Sequence, residues 1–124
     1  MGKRTKILVI EDDIESSEML REMLGMADYE VEPARTADKA IAALTERRYG
    51  AAVLDLNVKG ATTAELVARL QKVPERPPIV IFSACVPEDL RKAGEQLSAA
   101  AVLQKPASMA TLLTTMADVV RPAA

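Results

Sequence analysis

The stretch AAVLDLN at residues 51–57 combines an apolar run of strand length with a carboxylate close to its end. Gly50 and Gly60 bound the stretch, as is typical of a fully buried strand in a parallel sheet. In open α/β sheets, ligands bind at the carboxyl ends of the strands, so Asp55 is expected to face a crevice. An Asp in this position can also begin a turn or cap a helix, and this stretch alone allows both interpretations.

A second apolar run, ILVI at residues 7–10, is followed directly by Glu11, Asp12 and Asp13. Two adjacent strands that both end in acids would place their carboxylates in one pocket. Clustered carboxylates raise one another's pKa unless a positive charge compensates them. The repetition therefore favours a functional crevice at Asp55. Asp13 is assigned instead to the N-terminus of the following helix, where negative charge is favourable.

The composition excludes several classes of protein. The chain has 124 residues, and its 16 basic and 18 acidic residues give a net charge of −2, which indicates no general attraction to nucleic acids or membranes. It has no histidine and one cysteine, Cys85, which excludes an internal disulfide, a Cys/His metal site and a Ser-His-Asp triad. The N-terminal apolar run is too short for a signal peptide or a membrane span. We therefore expect one cytoplasmic domain over residues 1–124.

Strand and helix patterns alternate five times along the chain. The predicted strands cover residues 6–10, 29–34, 51–55, 79–83 and 100–104. The predicted helices cover residues 14–26, 37–47 after a cap at Thr36, 63–73 after a cap at Thr62 or Thr63, 88–97, and 109–120 after a cap at Ser108. The apolar side of the first helix is predicted from helical spacing to comprise Ile14, Met19, Leu20, Met23 and Leu24. This alternation predicts an α/β fold with a parallel sheet covered on both faces, and a proline near the end of the second strand predicts an edge position.

Four strand ends supply the polar groups of the predicted site: Glu11 with Asp12, then Asp55, Ser83 and Lys105. A hard divalent cation relieves repulsion between carboxylates, and Mg²⁺ is typically held by one or two carboxylates with phosphate oxygens and water. A lysine and a hydroxyl opposite the cation would stabilise a phosphoryl group in transit, and an Asp can be its nucleophile. Together these residues predict phosphoryl transfer to Asp55. Taken singly, Lys105 could be a solvated lysine and Ser83 a turn residue.

Four segments, in this order and spacing, resemble the receiver domains of two-component response regulators over essentially the whole chain. They are ILVIED at 7–12, LDLN at 54–57, IFSA at 81–84 and KP at 105–106. The resemblance implies a flavodoxin-like (βα)5 fold, doubly wound, with a five-stranded parallel sheet in the order 2-1-3-4-5. Because the chain ends within a few residues of its last predicted helix, we expect a stand-alone, single-domain receiver.

The resemblance also implies a metal site. Asp55 is expected to be the phosphoacceptor and to contribute to Mg²⁺ binding. Asp12 is expected to be a direct Mg²⁺ ligand, Glu11 to act mainly through water, and Asn57 to contribute its backbone carbonyl.

Further roles implied by the resemblance concern the phosphoryl group itself. The hydroxyl of Ser83 and the backbone N–H of Ala84 are expected to close on it, and Lys105 to pair with its oxygens. The bond between Lys105 and Pro106 is expected to be cis, as is common in this family.

These expectations describe a Mg²⁺-dependent receiver that takes a phosphoryl group from a histidine kinase or phosphotransfer protein. It would signal by protein–protein contact or act as a phosphate sink, and it would assist its own phosphorylation without being a classical enzyme. The alternative is a pseudo-receiver, an interaction module that is never phosphorylated, which metal binding would distinguish. A phosphatase of the haloacid dehalogenase type fits poorly, because the acid expected two residues after the nucleophile is Asn57 here and no cap domain fits this length.

The sequence departs from the receiver pattern in the region expected to carry the output. Val102 stands where receivers usually have Phe or Tyr, so the output is expected to use backbone shifts or another surface. The polar segment 85–97 predicts a short or mobile helix. Cys85 lies two residues after the predicted switch hydroxyl, and it is interpreted as structural, as tuning dephosphorylation or as a redox sensor.

Overall fold

The computed structural model describes residues 4–120, in which five strands and five helices alternate. The strands are β1 (Thr5–Ile10), β2 (Tyr29–Ala34), β3 (Ala51–Leu54), β4 (Ile79–Ser83) and β5 (Ala101–Gln104). The helices are α1 (Ile14–Met26), α2 (Ala37–Glu46), α3 (Thr63–Gln71), α4 (Pro87–Leu97) and α5 (Met109–Val119). None of the helices in this described part is long and apolar enough to cross a membrane. The predicted domain limits, residues 1 and 124, lie outside the described residues.

All strand pairs in the sheet are parallel, and the strand order is β2-β1-β3-β4-β5. This order confirms the predicted flavodoxin-like fold and the edge position of β2. Each element begins and ends within about two residues of its prediction, the usual uncertainty of helix and strand ends. Thr36, Thr62 and Ser108 cap α2, α3 and α5 by accepting a hydrogen bond from a backbone N–H in the first turn.

Two hydrophobic clusters cover the two faces of the sheet, because successive side chains of a strand point to opposite faces. The larger cluster joins one face to α2, α3 and α4, and it includes Leu8, Leu54, Ile81, Leu44, Leu66, Leu70 and Leu90. The smaller cluster joins the other face to α1 and α5, and it includes Ile7, Val9, Val53, Val80, Leu20, Leu24, Leu112 and Met116. The four residues of β3 are buried, as the apolar run predicts.

The buried side of α1 differs from its prediction. Leu20 and Leu24 are buried as expected, together with Ser17, but Ile14 is 60% exposed and Met19 is 58% exposed. At about 100° per residue, Ile14 and Met19 lie roughly 90° and 130° from the centre of the stripe that the three buried residues form. The prediction is therefore wrong for these two residues, which lie outside the side of α1 that packs against the sheet.

Helix α4 extends over the predicted segment and is regular along its whole length. Its apolar stripe is narrow but regular, and it buries Leu90, Ala93 and Leu97 over an 11-residue helix. The charged residues that suggested a short helix form its outer side, where Arg91 bridges Glu88 and Glu95. The predicted bounds of the helix, residues 88–97, are therefore confirmed to within one residue.

Helix α4 also lies very close to β5. A Cβ atom added at Gly94 would lie only 2.8 Å from Cγ2 of Val102, a distance that real Cβ contacts essentially never show. The close approach of the helix to the strand therefore depends on the absence of a side chain at position 94.

Arg76 joins the C-terminal ends of α3 and α4. Its guanidinium group donates hydrogen bonds to the carbonyl of Leu70 at 3.0 Å and to the carbonyl of Leu97 at 3.3 Å. Carbonyls in the last turn of a helix lack some or all of their helical partners, and the helix dipole favours a cation there. Arg76 therefore stabilises two helix ends at the edge of the sheet where β4 begins.

We expect Arg76→Ala to lower the free energy of unfolding by about 2 kcal/mol, because hydrogen bonds from a charged donor typically contribute about this much. Urea unfolding followed by circular dichroism measures the change. The matched control is Arg69→Ala, which removes a single exposed ion pair with Asp38 and should cost less than about 1 kcal/mol. Equal losses in the two variants would contradict this role of Arg76.

Tyr49 forms a partly buried polar contact just before β3. Its hydroxyl donates to the carboxylate of Glu32, which also accepts a hydrogen bond from Arg47 at 2.5 Å. Burial, reinforced by the hydrogen bond to Glu32, raises the pKa of Tyr49 from 10.0 to about 12. The folded protein therefore retains the phenolic proton at pH values where the unfolded chain loses it.

The free energy of unfolding should therefore fall as the pH rises from 10 towards 12, because only the unfolded chain gains from ionising Tyr49 in that range. In Tyr49→Phe this contribution is absent, so its stability should depend less steeply on pH in the same window. Urea midpoints measured for both proteins across this range test the prediction. Parallel profiles for the two proteins would contradict it.

Candidate functional site

The carboxyl ends of the strands bring four of the predicted side chains to one edge of the sheet. Glu11 follows β1, Asp55 follows β3, Ser83 ends β4 and Lys105 follows β5. Backbone hydrogen bonds continue the strand pairing into this edge, from the N–H of Asp55 to the carbonyl of Ile10 and from the N–H of Lys105 to the carbonyl of Ser83, each at 2.9 Å. The register of the parallel strands therefore fixes the backbone positions from which these four side chains extend.

Asp55 is the central group of the site. Its Oδ1 accepts hydrogen bonds from the Ser83 hydroxyl at 2.8 Å and from the backbone N–H of Asn57 at 3.0 Å, and its Oδ2 lies 3.3 Å from Nζ of Lys105. Burial acts to raise the pKa of Asp55, but the Asn57 N–H, Glu11, Ser83 and Lys105 together hold it below the usual value. Asp55 is therefore a carboxylate at neutral pH, the form that a nucleophile requires.

Lys105 lies between two carboxylates. Its ammonium group pairs with the buried Glu11 as well as with Asp55. Burial acts to lower the pKa of Lys105, but its hydrogen bond to Glu11 and the two negative charges raise it overall. For Glu11, burial and the neighbouring Asp55 raise the pKa, although the hydrogen bond from Lys105 opposes this. One cation therefore compensates two acids in a partly desolvated pocket.

The remaining predicted residues lie at the rim of this pocket. Asp12 is half-buried, and its carboxylate has no hydrogen-bond or ion-pair partner within residues 4–120. Asn57 is exposed, and its side-chain amide lies 3.5 Å from Sγ of Cys85. Ala84 is exposed, and its backbone N–H has no acceptor among the described residues. Among the described residues, the carboxylate of Asp12 and the N–H of Ala84 are thus left available at the mouth of the site.

Two smaller expectations at this edge are met. Asp13 caps α1, where its side chain accepts a hydrogen bond from the N–H of Ser16 at 2.9 Å. The bond between Lys105 and Pro106 is cis. Asp13 is therefore occupied as a helix cap and is not one of the clustered acids.

The oxygen groups of the site suit a hard cation. No group of three His, Cys, Asp or Glu side chains within residues 4–120 is arranged to hold a metal ion. Mg²⁺ nevertheless needs only one or two carboxylates and takes its other ligands from carbonyls, water and phosphate, which matches Asp12, Asp55 and the carbonyl of Asn57. Glu11 is engaged by Lys105, so a role through water fits its position. The Mg²⁺ site stays a prediction.

Of two further neighbours of the site, Cys85 was expected near it and Phe82 was not predicted from the sequence. Nζ of Lys105 lies 5.4 Å from the centroid of the Phe82 ring. Sγ of Cys85 lies 3.4 Å from the Ser83 hydroxyl, which places the thiol beside the site without showing which of its three interpretations is right. Residue alternation predicts only that Phe82 lies on the face of β4 opposite to Ser83, and it does not predict the contact with Lys105.

Replacing Lys105 by Met tests whether its charge compensates both acids. We expect the pKa values of Glu11 and Asp55 to rise in Lys105→Met, because two neighbouring carboxylates then face each other without a cation. Titration of the carboxyl carbons by ¹³C NMR measures both values. Lys59→Met, which removes an exposed lysine, is the control and should change neither. The bridging role would be contradicted if Lys105→Met also left both values in place.

Residues 7–117 match the family model of the response regulator receiver domain. The chain is 31% identical over 120 residues to the sensory/regulatory protein RpfC of Xanthomonas campestris, a match that covers 93% of this chain and 16% of that protein. It is 29% identical over 116 residues to the transcriptional regulatory protein PrrA of Mycobacterium tuberculosis, with 94% and 50% covered. The chain thus spans half or less of the length of these relatives.

Solved structures agree with this assignment. Chemotaxis protein CheY4 of Vibrio cholerae superposes with a TM-score of 0.80 at 28% identity, over 94% of this chain and 99% of that chain. The receiver domain of HemR from Leptospira biflexa superposes with a TM-score of 0.82 at 27% identity, over 98% and 100%. The fold, the clustered strand ends and the family match lead to one conclusion: the chain belongs to the response regulator receiver domain family.

Proposed function

We propose that this chain accepts a phosphoryl group on Asp55 from a histidine kinase or a histidine phosphotransfer protein. The observation that carries the proposal is the position of the Asp55 carboxylate between the Lys105 ammonium group and the Ser83 hydroxyl. The family match supports it, as does similarity to proteins named as sensory and transcriptional regulators. The proposed role is a phosphoacceptor that assists its own phosphorylation, in the cytoplasm, as one receiver domain over residues 1–124.

In the proposed reaction, a carboxylate oxygen of Asp55 attacks the phosphorus atom of the donor. The bond from phosphorus to the donor histidine nitrogen breaks, and its electron pair stays on the imidazole. The lowered pKa of Asp55 keeps the nucleophile deprotonated. Lys105 shifts part of its pairing from Glu11 to the phosphoryl oxygens, while the Ser83 hydroxyl and the Ala84 N–H supply two further donors.

A Mg²⁺ ion would be held by Asp12, Asp55 and the carbonyl of Asn57, with Glu11 acting through water. When bound, it would offset the negative charge of the acids and of the incoming phosphoryl group. The half-buried carboxylate of Asp12, which has no partner among residues 4–120, supports this proposal.

The output is proposed to be protein–protein contact or withdrawal of phosphoryl groups from a kinase. With Val102 in place of an aromatic residue, a switch that depends on rotation of that aromatic is excluded. A pseudo-receiver that is never phosphorylated is the alternative, and the paired state of Lys105 and Asp55 is compatible with it. Metal binding at the acids separates the two.

Intact mass measured after incubation with acetyl phosphate tests the proposal. We expect the wild-type protein to gain one phosphoryl group only when Mg²⁺ is present, and Asp55→Asn to gain none, because the amide is nearly isosteric but is a poor nucleophile. Asp13→Asn is the matched control: it lies at the same edge, Asn caps helices as well as Asp does, and it should be phosphorylated like the wild type.

Three outcomes would change the proposal. Phosphorylation of Asp55→Asn at the wild-type rate would show that Asp55 is not the acceptor. A wild-type protein that neither gains a phosphoryl group nor binds Mg²⁺ would be a pseudo-receiver. A protein that binds Mg²⁺ but gains no phosphoryl group from acetyl phosphate would require a phosphohistidine donor, which a phosphorylated histidine phosphotransfer protein supplies.

A further inference from the structure

Phe82 is the single phenylalanine of the chain, and its ring lies against the ammonium group of Lys105. The 5.4 Å from Nζ to the ring centroid is within the range of a cation–π interaction, about 6 Å. Only 22% of the Lys105 side chain is exposed, and such contacts are stronger where water is excluded. The same ammonium group therefore has an aromatic ring as a neighbour in addition to Glu11 and Asp55.

The fold places this ring next to Lys105. Phe82 pairs with Leu103 across β4 and β5, and Lys105 lies two residues further along, so all three start from the same face of the sheet. The ring packs against the smaller hydrophobic cluster, between the sheet and the α1 and α5 side. A packed ring is fixed, whereas the lysine side chain has four rotatable bonds and needs neighbours to hold its end in one place.

Packing alone does not require an aromatic residue at this position. The buried residues of the cluster that Phe82 packs against are aliphatic or methionine side chains, including Val80 of the same strand, and Tyr29 is the other aromatic residue packed against it. What a ring adds to aliphatic bulk is a face of partial negative charge, which attracts a cation without competing for its hydrogen bonds to oxygen.

We propose that Phe82 is a positioning residue for Lys105, whose ring holds the ammonium group within reach of Asp55 and of a phosphoryl group attached there. The proposal rests on phosphoryl transfer to Asp55 as the function of the site. Lys105 must share its hydrogen bonds among Glu11, Asp55 and the phosphoryl oxygens, and this sharing changes during the reaction. The contact with the Phe82 ring does not depend on which oxygen accepts these hydrogen bonds.

The contact itself is tested by NMR without any phosphoryl donor. An aromatic ring shifts nearby protons upfield, so the ε-methylene protons of Lys105 should resonate upfield in the wild-type protein and in Phe82→Tyr. In Phe82→Leu this shift should vanish. An equal position of these protons in all three proteins would overturn the proposal.

The functional test measures the rate of phosphorylation by acetyl phosphate with Mg²⁺ in a double-mutant cycle. We expect Phe82→Leu to slow the reaction about fivefold, a change of the size that a cation–π contact supplies, and Phe82→Tyr to restore it. In a Lys105→Met background, Phe82→Leu should cause no further loss, because its effect passes through Lys105. Equal loss in both backgrounds would show that Phe82 only packs and would overturn the proposal.

Controls separate positioning from general destabilisation. Leu113→Ala removes a partly buried side chain from the same cluster, and it should lower the unfolding temperature without changing the phosphorylation rate. Should Phe82→Leu fail to fold, Phe82→Met replaces it with an unbranched apolar side chain. If the wild type neither gains a phosphoryl group nor binds Mg²⁺, the proposed function fails, and the NMR comparison still decides whether the ring holds Lys105.

Discussion

The ammonium group of Lys105, shared by the carboxylates of Glu11 and Asp55, is the contact on which the geometry of the site depends. Two acids in a partly buried pocket repel each other, and removing their charges from water is costly without a cation. The three residues follow β1, β3 and β5, so the contact spans the sheet and passes over β4. Ser83, at the end of β4, lies between them, and its hydroxyl donates a hydrogen bond to the carboxylate of Asp55. The strand order is therefore a condition for the chemistry.

The sequence was a good guide to the strands and to the clustered site, because both follow from short-range patterns: apolar runs that end in polar residues. It was a poor guide where a residue's environment depends on distant neighbours. Ile14 fits a helical period but lies beyond the width of α1 that the sheet covers. In α4, the apolar stripe that begins at Leu90 is narrow and the outer side is highly charged, so the sequence did not reveal which side is buried. The contact between Phe82 and Lys105 joins two strands and leaves no local pattern.

The departure at Val102 gains a structural explanation from α4. Because Gly94 has no side chain, one methyl group of Val102 lies close against α4, while 40% of Val102 stays exposed. The glycine in the helix and the small branched residue in the strand are therefore matched to each other. The residue that differs from the receiver pattern belongs to a different packing arrangement on this face, so the function of this face cannot be carried over from receivers that have an aromatic there.

The two hydrogen bonds of Arg76 have a consequence for how α4 can move. They hold the carbonyl ends of α3 and α4 together at the edge of the sheet opposite to Asp55. The other end of α4 begins at Pro87, only four residues after Ser83. Because the C-terminal end of α4 is held, we expect the helix to rotate about that end and not to translate. A small displacement at Ser83 would therefore move the N-terminal end of α4 more than its C-terminal end, which stays bound to α3.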